Sequence, residues 1–185
     1  MLNVPRFYSE IQAHRSSESI KPIEDLLEDL GSKKSRVRRT GLEGVIFELV
    51  KAFGLRFVSF RFSSLRVSGA TIGVIADRDD LIFSRWQITG HDAKQLNLAF
   101  IAAEVGLALG LKSECVVIAT TGIIANDARD YVDLVMQTSS PHLFLIDRIH
   151  LKRLFSRNRQ ATQEAMIRYT AARKLKWKEK NLEML

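Results

Sequence analysis

The stretch from Ser68 to Lys94, S-G-A-T-I-G-V-I-A-D-R-D-D-L-I-F-S-R-W-Q-I-T-G-H-D-A-K, decides how the rest of the chain is read. Thr71-Ile72-Gly73-Val74-Ile75 has the β-branched content of a strand, and so does Ile82 to Thr89. Asp77-Arg78-Asp79-Asp80 between them reads as a polar turn. Side chains alternate faces along a strand, so Ile72, Val74 and Ala76 share one face, while Arg85, Gln87 and Thr89 share a face of the next strand. The expected unit is a β-hairpin with one apolar face, followed by the start of a helix.

Working outward, Gly41 to Gly54 is the first strong helix. Leu42, Val45, Ile46, Leu49, Val50 and Phe53 recur at spacings of three and four, and Gly54 is a plausible stop. Leu55 to Phe62 reads as a strand by its aromatic and β-branched content. Asp92 with Gln95 three residues on has the form of a capping box. It predicts a helix over Gln95–Leu111, apolar on nearly every side and therefore buried in a layer or at a subunit contact. Cys115 to Thr121 is a short apolar strand, Ile124 to Met136 a helix, and His142 to Asp147 a strand. Strands joined through helices imply partly parallel pairing, hence an α/β fold with a mixed central sheet flanked by helices.

Before this core, Ile23, Leu26, Leu27 and Leu30 recur at helical spacing, with Pro22 tolerable in the first turn and Gly31 as the stop. Ser32 to Thr40, S-K-K-S-R-V-R-R-T, holds five basic residues and no acid, and reads as an exposed loop. Arg grips a phosphate through two parallel hydrogen bonds and Lys acts as a point charge, so Lys33, Lys34, Arg36, Arg38 and Arg39 are candidate phosphate contacts. After Leu151 the chain is helical and basic: Arg148 to Leu185 carries eleven Lys or Arg against three Glu, with an apolar stripe through Ala165, Met166, Tyr169, Ala172 and Leu175. Three segments result: a helical and basic extension over 1–40, a core over 41–155, and a basic C-terminal helix over 156–185.

A length of 185 residues suits one domain with a substantial core. No segment approaches the roughly 20 apolar residues that span a bilayer, and the first residues lack the build of a signal peptide. The lone Cys115 has no intramolecular partner and sits in an apolar run, which implies a buried thiol in a reducing, cytoplasmic setting. A formal charge of +7 favours a polyanionic partner. The four His are scattered and no Cys pair exists, so neither a zinc site nor a Ser-His-Asp arrangement finds support.

The hairpin resembles the catalytic hairpin of the PD-(D/E)xK nucleases, most closely the Mrr-like type IV restriction endonuclease branch. That family carries Gly-x-Asp-hydrophobic on one strand and Gln-x-Lys or Glu-x-Lys on the next. Here Gly69-Ala70-Thr71-Ile72 matches the first box with Thr71 in place of the Asp, and Trp86-Gln87-Ile88-Thr89 matches the second with Thr89 in place of the Lys. Leu42-Glu43 with Gly54 matches the spacing of the family's first helix. Ala119-Thr120-Thr121-Gly122, Ala125, Ala128, Leu145-Ile146-Asp147 and Leu151 extend the likeness, which covers roughly residues 41 to 155. The resemblance implies a restriction-endonuclease-like αβββαβ core, with Glu43, Thr71, Gln87 and Thr89 at the motif positions.

Active relatives use carboxylates to hold Mg²⁺, which activates water and neutralises phosphate charge. Thr71 is a poor substitute for a carboxylate and Thr89 cannot carry positive charge, so the resemblance implies a nuclease fold without the nuclease chemistry and without a cofactor. Asp77 lies six residues from Thr71, roughly 20 Å along an extended strand, too far to replace the missing Asp. The alternative is an active, Mg²⁺-dependent endonuclease with a rearranged site built from Glu43, Gln87 and Lys94. The implied partners are double-stranded DNA and either a second copy or an active nuclease subunit, in a restriction or defence-type system; a purely structural subunit is the remaining alternative.

Overall fold

The computed structural model describes residues 21–60, 71–78, 84–138, 141–155 and 164. Its elements in chain order are α1 (Ile23–Asp29), α2 (Ser35–Ala52), β1 (Arg56–Phe60), β2 (Ile72–Arg78), β3 (Ser84–His91), β4 (Gln95–Leu96), α3 (Leu98–Gly110), β5 (Cys115–Thr120), β6 (Ile123–Ile124), α4 (Asn126–Thr138), β7 (His142–Ile146) and α5 (Arg148–Leu154). The fold is mixed α/β. A five-stranded sheet has the order β1-β2-β3-β5-β7, and β4 and β6 form a separate two-stranded parallel pair. β1, β2 and β3 form an antiparallel meander; β5 and β7 then add in parallel through helical crossovers.

Strand alternation sorts the core into two layers. Ile72, Val74 and Ala76 on β2, with Trp86 and Ile88 on β3, pack against Leu42, Val45, Ile46 and Leu49 of α2, as the hairpin alternation predicts. Leu26 and Leu30, at the α1 end, and Leu151 and Leu154 of α5 close the same layer. On the other face Val116, Ile118 and Leu143 meet Ile101, Val105 and Ala108 of α3 and Val132 and Met136 of α4. β5 is buried on both faces, which is why its sequence is an unbroken apolar run. Cys115 lies inside the first layer, and Trp86 stacks on Phe144 with ring centroids 6.0 Å apart and planes 7° from parallel.

Four expectations change. Ser35 to Thr40 is not loop: it forms the first turns of α2, so the boundary drawn at residue 40 falls inside an unbroken helix. Asp77 and Arg78 belong to β2, opposite Arg85 and Ser84, instead of forming the turn; residues 79–83 lie outside the described residues. Asp92 caps no helix. Gln95–Leu96 is a short strand, and α3 is capped by Asn97, whose side chain accepts from the Phe100 N–H. α3 is buried on one face only: Leu98 and Leu109 are 37% and 53% exposed. The expected C-terminal helix, apart from residue 164, and residues 61–70, including the first motif's Gly69 and Ala70, fall outside the described residues.

Candidate functional site

The parallel strands β3, β5 and β7 end at one edge of the sheet, where open α/β sheets place their ligands. A polar network joins the segments that meet there. The Arg38 guanidinium, on the second turn of α2, donates to Asp92 just past β3, Nε to Oδ1 at 2.8 Å and Nη2 to Oδ2 at 3.2 Å. Thr121, just past β5, donates its hydroxyl to Asp92 Oδ1 at 3.1 Å, and Ser35 reaches Oδ2 at 3.4 Å. The Asp92 N–H donates to the Thr71 hydroxyl at 3.0 Å. Burial works to raise the Asp92 carboxyl, but hydrogen bonds from Arg38 and Thr121, with the Arg38 charge, outweigh it and hold the carboxyl below its usual value. Arg38 also donates to the carbonyls of Ser32 and Lys33, which ties down the turn before α2.

The rest of the basic cluster, Lys33, Lys34, Arg36 and Arg39, is exposed just before and within the first turns of α2. Arg38 is thus the one member of the basic cluster that the fold consumes. α2 begins here with no acidic residue in its first turn and no side-chain cap from Lys34, so the positive end of an 18-residue helix adds to the same field. Glu43 follows one turn after Arg39. Loss of water from around its carboxyl pushes it up, while the Arg39 charge pulls it down.

At the end of β7, Asp147 caps α5, accepting from the N–H groups of Ile149 and His150 at 2.9 Å each and from Arg129 at 3.1 Å. Burial works to raise this carboxyl, and the hydrogen bonds and charge of His150, with the Arg129 charge, bring it below its usual value. A groove between α1 and α5 has Glu24, Glu28 and Asp29 on one side and Arg148 and Lys152 on the other, a mixed lining unsuited to a polyanion.

Glu43 stands on α2, and the other motif positions stand on or beside β2 and β3. Thr71 joins the edge network. Gln87 and Thr89 lie mid-strand with no exposed surface, on the face turned away from α2 and Glu43. Gln87 Nε2 donates to the Glu104 carboxylate at 2.8 Å and to its carbonyl at 3.1 Å; Thr89 donates to the Val117 carbonyl at 3.5 Å. Lys94 is exposed, beyond β3. Gln87 thus lies buried on the face of β3 opposite Glu43, and among the described residues no group of three or more His, Cys, Asp or Glu is placed to hold a metal.

Two features had no clear signal in the sequence. One is Asp92, whose apparent local role as a cap hid its partner 54 positions away. The other is a polar cluster sealed under α3, where His91 Nε2 lies 3.7 Å from Glu104 Oε1, the Phe100 ring meets the imidazole edge-on, and Gln87 completes the group. Glu104 was legible only as the single charge in an otherwise apolar helix. Among the described residues no helix is long and apolar enough to cross a membrane. No protein-family model matches the chain, and no curated protein matches it.

Proposed function

We propose that this chain is a nuclease-fold protein that binds double-stranded DNA without cutting it, as a cytoplasmic component of a restriction or defence-type system. The observation that carries the reading is the group of exposed cations, Lys33, Lys34, Arg36 and Arg39, just before and within the first turns of α2, the helix that Arg38 ties to Asp92. Backbone contacts by such residues hold phosphate irrespective of base sequence. A helix followed by an antiparallel meander, a crossover helix and a parallel strand is also the order expected of a restriction-endonuclease-like core. The absence of cleavage rests on the sequence: Thr71 and Thr89 stand where the resemblance calls for Asp and Lys. Mg²⁺ has no role in this reading.

The test is titration of a labelled duplex at several salt concentrations, with a parallel cleavage assay in Mg²⁺ and Mn²⁺. The expected result is binding that weakens steeply with salt, similar on unrelated sequences, and no cleavage. Failure to bind even at low salt would remove the DNA reading; metal-dependent cleavage abolished by Glu43→Ala would restore the nuclease alternative.

A further inference from the structure

We propose that His91 and Glu104 form a proton-sharing latch that holds α3 on the sheet most firmly in mildly acid solution and loosens it as the pH rises through neutrality. Glu104 is the only charged residue of α3, and it stands on the buried side of the helix with Ile101, Val105 and Ala108. Neither Glu104 nor His91 reaches water: their exposures are 0% and 1%. His91 Nε2 lies 3.7 Å from Glu104 Oε1. Gln87 Nε2 donates to Glu104 Oε2 at 2.8 Å and so fixes the carboxylate, while the Phe100 ring meets the imidazole edge-on with centroids 5.6 Å apart. Among the described residues, the elements around the pair present apolar groups or charges already matched. α4 contributes Ala128, Val132, Val135 and Met136 with Tyr131 beside them, β4 and β6 contribute Leu96 and Ile124, and β5 contributes Val116 and Ile118. Thr120 of β5 donates to the His91 carbonyl at 3.1 Å. On β2, Asp77 shares the face of Gln87 and has Arg85 3.7 Å away. Asp92, next along the chain, is bound to Arg38.

A His and a Glu that share one proton carry no net charge, whichever of them holds it, and they exchange protons as a unit. A second proton leaves the pair a buried cation, and loss of the first leaves it a buried anion; each is costly away from water. The unfolded chain obeys no such limit. There a Glu takes up a proton below about pH 4.3, and a His gives one up above about pH 6.5. Between those values both states hold one proton, and the pair favours the fold most. Above about pH 6.5 the folded pair holds one proton more than the unfolded chain, so stability falls as pH rises, by about tenfold in the folding constant per pH unit. Below about pH 4.3 the unfolded chain holds the extra proton, and stability falls as pH drops. Lifting α3 relieves the imbalance, because the pair lies between that helix and β3, while the core layer against α2 lies on the other side of the sheet.

The experiment follows the full chain from about pH 5 to 9 by denaturant melts, the range that spans the ordinary His value. Hydrogen exchange of the α3 amides, corrected for the intrinsic rate, is read against that of the α2 amides. Wild type is compared with Glu104→Gln, His91→Gln and the double variant. His14, His142 and His150 are common to all four and cancel in the differences. Relative to the double variant, wild type should lose about tenfold in the folding constant per pH unit above about pH 6.5. Glu104→Gln leaves the imidazole alone and should instead lose stability below about pH 6.5. His91→Gln leaves the carboxyl alone and should lose stability steadily as pH rises from about 5. Where a variant fails to fold, the wild-type ratio of α3 to α2 exchange decides, and it should rise about tenfold per pH unit above about pH 6.5. A ratio that stays constant over the range overturns the proposal. Parallel melting profiles for wild type and the double variant overturn it equally.

Discussion

Arg38 and Asp92, 54 positions apart in sequence, form a two-point ion pair that joins the start of α2 to the end of β3. The Asp92 side chain is 7% exposed, so the pair is partly withdrawn from water and each partner depends on the other. It fixes where the basic turns of α2 stand relative to the edge of the sheet.

Asp92→Ala should destabilise the fold by about 1 kcal/mol, because it leaves partly buried donors on Arg38 and Thr121 without their acceptor. The pH dependence follows from the direction of the shift. In the unfolded chain the carboxyl titrates near its ordinary value of about 3.9, and in the fold it titrates lower. Its contribution to stability is therefore complete above about pH 4 and is lost as pH falls through the lower, folded value. Denaturant melts of wild type and Asp92→Asn should differ most at neutral pH and converge in acid. A gap that is constant down to pH 2 would contradict the assignment.

Arg38 and its neighbours should separate cleanly. Arg36→Ala with Arg39→Ala should flatten the salt dependence of duplex binding by about two units if both touch phosphate, while the melting temperature stays nearly constant, since exposed charges contribute little to stability. Arg38→Ala should lower the melting temperature and change the salt slope less than either neighbour does. The reverse pattern would make Arg38 the DNA contact and its ion pair incidental.

Thr71→Asp combined with Thr89→Lys rebuilds the motif letters but should not restore cleavage. Thr89 has no exposed surface and lies on the strand face between Gln87 and His91, sealed under α3, where a longer side chain overpacks the layer and a buried ammonium must be desolvated, at a cost of several kcal/mol. Thermal melts should show Thr89→Lys strongly destabilised or unfolded, with Thr71→Asp alone much milder. A stable double variant that cuts DNA in Mg²⁺ would show that β3 can present position 89 to solvent.

Two glycines should respond in opposite directions. A side chain at Gly122 would collide with the backbone carbonyl oxygens of Ala93 and Lys94, which cannot swing away. Gly122→Ala should cost about 1–3 kcal/mol or more and disturb the pairing of β4 with β6. Gly106→Ala in the open face of α3 should stabilise the fold by about 0.5–1 kcal/mol, as expected for a helical glycine. Chemical denaturation of both variants reads the contrast directly, and similar effects at the two sites would refute it.

What the sequence determined by itself was the set of elements whose signal is periodic and local. Ile72, Val74 and Ala76 alternate, Leu42 to Phe53 recur at helical spacing, and Cys115 to Thr120 is continuously apolar; each pattern survives because the face it predicts is the face that is buried. Tertiary structure decided what depends on a distant partner. Ser35 to Thr40 carries little apolar periodicity and reads as loop, yet it is helix, with Arg38 anchored to Asp92. Asp92 and Gln95 imitate a cap because capping is recognised over three residues, while the real cap is Asn97 and the real partner of Asp92 arrives from another element. Gln87 and Thr89 matched motif letters, and only the packing of α3 shows that their face of β3 is closed. The physical reason is range: hydrophobic periodicity is written in neighbouring residues, whereas the solvent access and ionic pairing of one side chain are set by chain segments that only folding brings beside it.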